Sequence, residues 1–275
     1  MKPSFRLLSV LAHPDDESLG MGGTLAKYAA EGVETYLLVA TRGERGWQGD
    51  EKDNPGMEAL GQIRENELRC ASAQLGVCEL YFLDYLDGEL DQAVLQEVVI
   101  KIASYIRRIR PHIVITFDPL GAYGHPDHIA ISQFTQAAVL VAAISTYPGL
   151  ESQPAHLVSK LYYMIDTEPL IRAFTDLIGE IKIPVDGEIR QFRPYPNWAA
   201  SARIDIRAYW CQTVEAVACH DTQVRQLLPQ FKRLPDLYDA SVWGYQTFYR
   251  AFSLVNRGRR QETDLFEGIR PEITG

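Results

Sequence analysis

Two short runs of the sequence combine imidazole and carboxylate side chains. Residues 13–17 read HPDDE, and residues 123–128 read YGHPDH. Two neutral imidazoles and one carboxylate form a ligand set that holds zinc in hydrolases and leaves a coordination position for water. His13, Asp16 and His128 can supply this set. The two runs together therefore predict a metal site.

Asp15 adds a second carboxylate beside the predicted ligands. Asp16 follows His13 by three residues, so their side chains can converge on one point while Asp15 points into the cleft. A carboxylate next to an activated water can take its proton as general base and pass it to the leaving group. His125 and His128 share a helix face, so one can bind metal while the other, if protonated, faces the substrate oxyanion. This chemistry is hydrolysis.

Each residue also has an ordinary structural interpretation. His13 can be a buried histidine at a strand end, residues 15–17 can complement the positive end of a helix, and Asp127 can be a capping carboxylate. Non-haem iron oxygenases use two histidines and one carboxylate as well, so iron stays open beside zinc. A metal-binding protein without catalysis would need the ligands but not Asp15. The additional carboxylate favours hydrolysis.

The elements that would position these runs alternate between strand and helix. Apolar runs predict four strands and helical periodicity predicts three helices, at residues 7–12, 33–40, 80–83 and 113–117 and at about 18–30, 58–75 and 91–108. Such alternation is typical of a doubly wound, mostly parallel Rossmann-like α/β sheet covered on both faces. Ligands of that class bind at the carboxyl ends of the strands where the strand order reverses. The HPDDE and YGHPDH runs, called the two chemical runs below, both fall there, after the first and fourth strands.

The composition is that of an ordinary globular protein. A chain of 275 residues with 46% hydrophobic and 23% charged residues fits one domain over 1–275, with a core over 1–150 and a C-terminal part over 151–275 that completes the pocket. The net charge of −9 argues against nucleic acid as a partner. The longest apolar stretch, 137–144, is far below the ~18 residues of a membrane span. The apolar run 7–12 is too short for a signal peptide, which predicts a cytoplasmic location.

The C-terminal part is less regular. Its predicted elements are a strand, two helices and a last strand, at residues 161–165, 168–179, 207–219 and 245–255. The irregular stretch 186–198, with Arg190, Arg193, Tyr195 and Trp198, is expected to line the pocket mouth together with the loop 43–56.

Cysteine and glycine spacing carries no further chemistry. Cysteines at positions 70, 78, 211 and 219 lack CxxC spacing, which predicts free, mostly buried thiols. The glycines at positions 20, 22 and 23 do not complete a dinucleotide fingerprint, because position 25 is leucine. They are expected to allow close packing of the first helix.

The two chemical runs resemble the signature motifs of the PIG-L/LmbE-like zinc-dependent N-deacetylases. Residues 12–17 and 123–128 match both motifs in order and spacing, and weaker similarity extends through 41–44, 64–67, 87–88 and 220–223. The resemblance therefore covers most of the chain, with the stretch from about 150 to 200 least anchored.

The resemblance implies removal of an acetyl group from the nitrogen of an N-acetylglucosamine-type small molecule. It implies zinc held by His13, Asp16 and His128, with Asp15 as general base. It also implies further roles for two pairs: oxyanion stabilisation by His125 and Tyr123 and, as in the mycothiol-pathway members, sugar binding by Arg64 and Asp87.

Four points stay open. Arg64 can instead be a solvated helix charge paired with Glu67. His220 falls in a C-terminal family motif, but Thr222 stands where the motif has serine, which leaves its role undecided. An amidase that cleaves a bulkier acyl group would use the same catalytic set. The sequence is compatible with a homo-oligomer but does not set the oligomeric state.

Overall fold

Strands and helices alternate along most of the chain in this computed structural model, which describes residues 4–185, 187–256, 258 and 260–270. Strands β1 to β9 are, in chain order, Arg6–Leu11, Glu34–Val39, Glu79–Phe82, Ile113–Phe117, Lys160–Met164, Ile183–Val185, Glu188–Arg190, Ala202–Asp205 and Tyr245–Ser253. Helices α1 to α10 are Asp16–Ala30, Met57–Gln74, Leu95–Ile109, Pro126–Ala142, Glu168–Ile178, Trp210–Cys219, Asp221–Val224, Leu228–Lys232, Leu234–Leu237 and Ala240–Trp243.

Seven strands form one sheet in the order β3-β2-β1-β4-β5-β9-β8. The first five in this order are parallel, and β9 pairs antiparallel with both β5 and β8. The chain runs outward from β1 to β3 and then returns to β4 on the other side of β1, so the strand order reverses between β1 and β4. The predicted α/β class with a mostly parallel, Rossmann-like sheet is therefore confirmed, and strands from 151–275 extend the sheet begun in 1–150. Residues 1–3 and 271–275 at the two ends of the predicted domain lie outside the described residues.

Helices cover both faces of the central strands. Neighbouring residues of β1, such as Leu7 and Leu8, point to opposite faces and are both fully buried, as are Ile113 and Val114 in β4. Burial on both faces explains why these strands are continuous apolar runs rather than alternating ones. Among the described residues, no helix has the length and apolar character needed to cross a bilayer.

Several predicted bounds shift where a short turn precedes a helix. A 3-10 turn at Leu90–Gln92 precedes α3, and another at Arg207–Tyr209 precedes α6, so both helices begin about three to four residues later than predicted. The stretch 186–198, predicted to be irregular, contains β7 of a small hairpin with β6; Asp186 lies outside the described residues. Neither β8 nor the four-residue helices α7, α9 and α10 were expected, because such short elements show no measurable periodicity.

The prediction of free, mostly buried thiols is wrong for Cys70 and Cys219, which are paired, and for the burial of Cys78 and Cys211, which are free as predicted but exposed. Cys70 of α2 and Cys219 of α6 form a disulfide across 149 residues of sequence, while Cys78 and Cys211 are free and exposed. Helices α2 and α6 pack side by side. This long-range contact between helices cannot be read from cysteine spacing along the chain.

Gly23 of α1 allows a close approach that a larger residue would prevent. A Cβ at this position would stand 2.7 to 2.9 Å from side-chain atoms of Ile206, which follows β8. We expect Gly23→Ala to lower the free energy of unfolding by about 1–3 kcal/mol through overpacking, although helix propensity alone favours alanine by about 1 kcal/mol. Denaturant titration measures the change.

Gly22→Ala is the matched control. Its Cβ would stand 3.3 Å from the Thr213 methyl, a contact that a small shift relieves. It should be clearly less destabilising than Gly23→Ala. A Gly23→Ala variant as stable as the parent protein would show that the close approach to Ile206 is not required.

Candidate metal and catalytic site

The two chemical runs meet because they follow neighbouring parallel strands. β1 leads into residues 13–17, where α1 begins, and β4 leads into residues 118–125, just before α4. β1 and β4 pair in parallel, so their carboxyl ends lie at one edge of the sheet. Both runs therefore face the same crevice, as the sequence predicts.

His13, Asp16 and His128 converge at this edge. His13 Nδ1 lies 3.1 Å from His128 Nε2, Asp16 Oδ1 lies 3.4 Å from the same nitrogen, and Asp16 Oδ2 lies 4.0 Å from His13 Nδ1. Donors that share one tetrahedral zinc at ~2.0–2.1 Å stand roughly 3.3–3.4 Å apart. All three side chains are buried. Their spacing and chemistry fit a single metal ion.

Two carboxylates fix the orientation of the His13 ring. His13 Nε2 lies 3.1 Å from both Asp127 Oδ2 and Asp87 Oδ1. Carboxylates only accept hydrogen bonds, so this nitrogen carries the proton and the Nδ1 lone pair is directed to the ligand cluster. Burial lowers the pKa of His13, but the hydrogen bonds to Asp127 and Asp87 outweigh burial and the pKa lies well above its usual value. The raised pKa means that the surroundings favour a second proton, on Nδ1. The same surroundings favour a metal cation, which displaces the Nδ1 proton on binding.

Asp127 does more than the capping carboxylate considered from the sequence. It is fully buried, and besides its contact with His13 it accepts the backbone N–H groups of Gly88 and Leu90 at 2.8 and 3.1 Å. Within the described part of the chain, two groups of side chains have ligand atoms close enough to hold an ion: Asp127 with His13 and Asp87, and His125 with His13 and His128. Sequence reasoning missed the contact of Asp127 with His13, although Asp127 lies inside the YGHPDH run.

Asp15 has an uncommon backbone conformation. Its φ angle is 118°, in the region that favours glycine, and its carbonyl accepts the first N–H groups of α1. Its carboxylate oxygen Oδ2 accepts a hydrogen bond from Arg64 Nη2 at 3.2 Å. Burial raises the pKa of Asp15, and Arg64 opposes this rise. The Asp15 carboxylate is near enough to His13 for the charge of that ring to lower the pKa of Asp15, and its role as general base stays a prediction.

Arg64 and Asp87 both face inward. The buried Arg64 guanidinium also donates to the carbonyls of Gly43 and Pro14 at 2.9 and 2.5 Å. The alternative of a solvated pair with Glu67 is therefore wrong, since Glu67 accepts from Thr222 instead. Asp87 accepts the Arg45 N–H at 3.0 Å and contacts His13. Their role in sugar binding stays a prediction.

His125 and Tyr123 present neutral donors. His125 Nδ1 accepts the Asp127 backbone N–H at 3.1 Å, so in the neutral ring the proton is on Nε2. Burial and the neighbouring His13 lower the pKa of His125 to about 4, so the ring is neutral at pH 7 and not protonated as considered from the sequence. Burial also raises the pKa of Tyr123, which keeps its hydroxyl proton. Their rings meet edge to face at 5.9 Å between centroids.

A buried ion pair contacts the backbone of Asp15. His220 Nε2 stands 2.7 Å from Glu17 Oε1, and both side chains are 0% exposed. Glu17 Oε2 accepts the Asp15 backbone N–H at 3.1 Å, and the Ser18 hydroxyl donates to Oε1. This pair was not predicted; the presence of Glu17 in the HPDDE run was the signal for it.

Residues within the stretch 186–198 contact the loop 118–125 that leads into α4. Arg190 donates to the Gly124 carbonyl at 2.5 Å, and Tyr195 donates to the Asp118 carboxylate at 2.8 Å. Trp198, by contrast, is 86% exposed. The loop 43–56 touches the site through the Gly43 carbonyl bound by Arg64.

Comparison with known proteins supplies the family. The profile described as "PIG-L: GlcNAc-PI de-N-acetylase" matches residues 8–139. The chain is 35% identical to the 1D-myo-inositol 2-acetamido-2-deoxy-alpha-D-glucopyranoside deacetylase of Rhodococcus jostii, over 80% of this chain and 82% of that protein.

Two solved structures share the fold. A conserved protein of Thermus thermophilus superposes with a TM-score of 0.65 and 28% identity, over 91% of this chain and 96% of that one. The N,N'-diacetylchitobiose deacetylase of Pyrococcus horikoshii superposes with a TM-score of 0.68 and 21% identity, over 90% and 84% of the two chains. From the sequence identity to its relatives over most of their length, the chain belongs to the PIG-L family of de-N-acetylases.

Proposed function

We propose that this protein is a metal-dependent amide hydrolase that removes the acetyl group from an N-acetylglucosamine-type small molecule. The observation that carries this proposal is the convergence of His13, Asp16 and His128 with Asp15 beside them in one crevice. Family membership supports the reaction, and the name of the Rhodococcus relative supports an N-acetylglucosaminyl inositol as substrate.

The proposed metal ligands are His13 Nδ1, His128 Nε2 and the Asp16 carboxylate. Zinc is the proposed ion, and iron fits the same set of donors. When bound, the ion supplies a Lewis acid that polarises the acetamide carbonyl and lowers the pKa of a water. The hydrogen bonds from His13 to Asp87 and Asp127 keep the ligand nitrogen aimed at the ion.

The other side chains move the proton and stabilise charge. Asp15 takes a proton from the attacking water, whose oxygen bonds to the amide carbon, and later gives that proton to the leaving nitrogen. His125 Nε2–H and the Tyr123 hydroxyl donate to the oxyanion, and neutral donors suffice for this role. The C–N bond breaks and releases acetate and a free amine.

Arg64 is proposed to contribute to both the sugar site and Asp15, and the two roles separate kinetically. Lysine cannot reach the Pro14 carbonyl, the Gly43 carbonyl and Asp15 at once, so Arg64→Lys loses charge-assisted hydrogen bonds of about 1.5–3 kcal/mol each. We expect kcat to fall about tenfold or more because Asp15 loses its partner, and KM to rise because the sugar site loses one. Steady-state kinetics measures both constants.

Arg69→Lys, at an exposed position of the same helix, is the control and should leave both constants unchanged. A rise in KM with an unchanged kcat for Arg64→Lys would favour sugar binding as its main role.

An amine-release screen tests the proposed function. The panel holds N-acetylglucosaminyl inositol, N-acetylglucosamine and amides of the same amines with longer acyl groups, each tested with zinc-loaded protein. Release of amine from the acetyl compounds is the expected result. Preference for the longer acyl groups would identify the bulkier-acyl amidase. Failure on the whole panel, with metal bound, would leave a metal-binding protein without this activity.

The proposed location is the cytoplasm, and fractionation of the source cell tests it. The disulfide between Cys70 and Cys219 argues against this location, because disulfides are rare in reducing compartments. A thiol count on freshly isolated protein therefore belongs in the same experiment.

Light scattering decides between a monomer and a homo-oligomer.

A further inference from the structure

The two oxygens of the buried Glu17 carboxylate have separate partners. Oε1 faces His220 and the Ser18 hydroxyl, while Oε2 accepts the backbone N–H of Asp15. Glu17 is thus hydrogen-bonded to the residue proposed as general base and is itself held from behind by His220. None of the roles proposed above uses Glu17 or His220.

The backbone of Asp15 requires such support. A non-glycine residue at a φ of 118° is strained and persists only where its surroundings enforce it. The Asp15 carbonyl is bound by the first turn of α1, and its N–H is bound by Glu17. Rotation of this peptide would swing the Asp15 carboxylate away from the ligand cluster.

His220 explains how a carboxylate can stay in place there. A buried carboxylate without a partner is strongly destabilised and would turn toward water or recruit another group. His220 follows α6 and reaches Glu17 from 203 residues further along the chain, at 2.7 Å. The Cys70–Cys219 disulfide joins the end of α6 to α2, the helix that carries Arg64, and the contacts of Glu67 with Thr222 join α7 to the same helix.

We propose that Glu17, held by His220, is a positioning residue for the proposed reaction: it fixes the peptide of Asp15 so that the Asp15 carboxylate stands where it can take the proton of the attacking water. This inference rests on the proposed function, because it assumes that Asp15 is the general base. It assigns a role to the last residue of the HPDDE run and to His220.

A second buried ion pair provides the matched control. Lys160 and Glu262 are paired at 2.8 Å and almost fully buried, but Glu262 contacts Tyr162, Arg250 and Asn256 rather than residues 13–17. Glu262→Gln therefore disturbs another buried pair of a carboxylate and a cationic side chain, away from the site. The change in kcat of Glu262→Gln measures how much kcat falls when a buried ion pair is lost without any contact to the site.

The experiment compares Glu17→Gln, Glu262→Gln and Asp15→Asn, together with the double variant of Glu17 and Asp15, as zinc-loaded full chains. N-acetylglucosaminyl inositol is the probe, and zinc content is measured for each protein. We expect Glu17→Gln to lower kcat about tenfold or more, with KM and zinc content little changed, because glutamine is uncharged and has one acceptor oxygen, which cannot serve both the Asp15 N–H and the His220–Ser18 side. Glu262→Gln should keep the parent kcat.

The double variant separates positioning from a general structural role. If Glu17 acts through Asp15, adding Glu17→Gln to Asp15→Asn should change kcat less than about twofold, because interacting residues are not additive. A full additional loss overturns the inference, and so does a parent-like kcat for Glu17→Gln, or an effect confined to KM or zinc content. A zinc-loaded parent protein that is inactive on the whole panel of amides overturns the proposed function and the inference together.

His220 offers an independent route if Glu17→Gln does not fold. His220→Leu removes the partner of Glu17 and should reproduce the loss of kcat, whereas His220→Gln keeps a hydrogen-bond donor at this position and should recover most of it. Equal kcat values for the two His220 variants would overturn the inference.

Discussion

Asp15→Asn is expected to lower kcat by about 10²–10⁴-fold, the usual contribution of a general acid or base. Asparagine keeps the size of the side chain and tolerates a positive φ, so the loop should keep its shape. It cannot accept the proton of the attacking water. Zinc content should stay near that of the parent protein, because Asp15 is not among the proposed ligands. Steady-state kinetics with metal analysis measures both effects.

Asp84→Asn is the matched control for this substitution. Asp84 also has a positive φ, of 59°, just beyond the carboxyl end of β3, and its carboxylate pairs with Arg42 at 2.7 Å. It lies outside the proposed catalytic set, so its kcat should stay within about twofold of the parent value. Near-native turnover by Asp15→Asn would remove Asp15 as general base.

His128→Ala is expected to abolish stoichiometric metal binding and turnover together. Loss of a residue that merely orients a ligand costs about 10- to 100-fold in metal affinity, and loss of a ligand itself should cost more. Elemental analysis of protein prepared without added metal should find about one zinc per parent chain and almost none in the variant. His156→Ala, whose imidazole contacts the Pro111 carbonyl away from the site, is the control and should keep its zinc.

Other outcomes of the metal analysis point to specific alternatives. Full zinc content in His128→Ala would place the ion with His13, Asp87 and Asp127 instead, the group without His128 whose ligand atoms lie close enough to hold one. Stoichiometric iron in the parent protein would reopen the oxygenase interpretation, which dependence of turnover on O₂ would decide. A parent protein that binds no zinc even when zinc is offered would contradict a metallohydrolase.

The position of the site could be predicted because it depends on local sequence and on one topological rule. HPDDE and YGHPDH each follow an apolar run, and the reversal of strand order between β1 and β4 brings the ends of these runs together. The spacing of His13 and Asp16 already indicated that both side chains reach one point. The types and order of the residues were sufficient for these conclusions.

The supporting contacts could not be predicted, because they join residues that are far apart in sequence. Asp87 reaches His13 from the loop after β3, His220 reaches Glu17 from the end of α6, and Cys219 reaches Cys70 between two packed helices. Each depends on the angle and distance at which whole elements pack. The spacing of apolar residues along the chain does not determine these packing angles and distances.

The place of β9 in the sheet sets the order in which a growing chain can fold. β9 is the last strand in sequence but lies between β5 and β8, so β5 keeps an unpaired edge until residues 245–253 have been synthesised. Unpaired edges of this kind recruit other chains, and partly folded chains are correspondingly prone to aggregate. His220 comes after β4 in sequence, so a nascent chain just long enough to pair β1 with β4 still lacks the partner of Glu17. Shielding of the β5 edge during synthesis should therefore govern how much active protein a cell obtains.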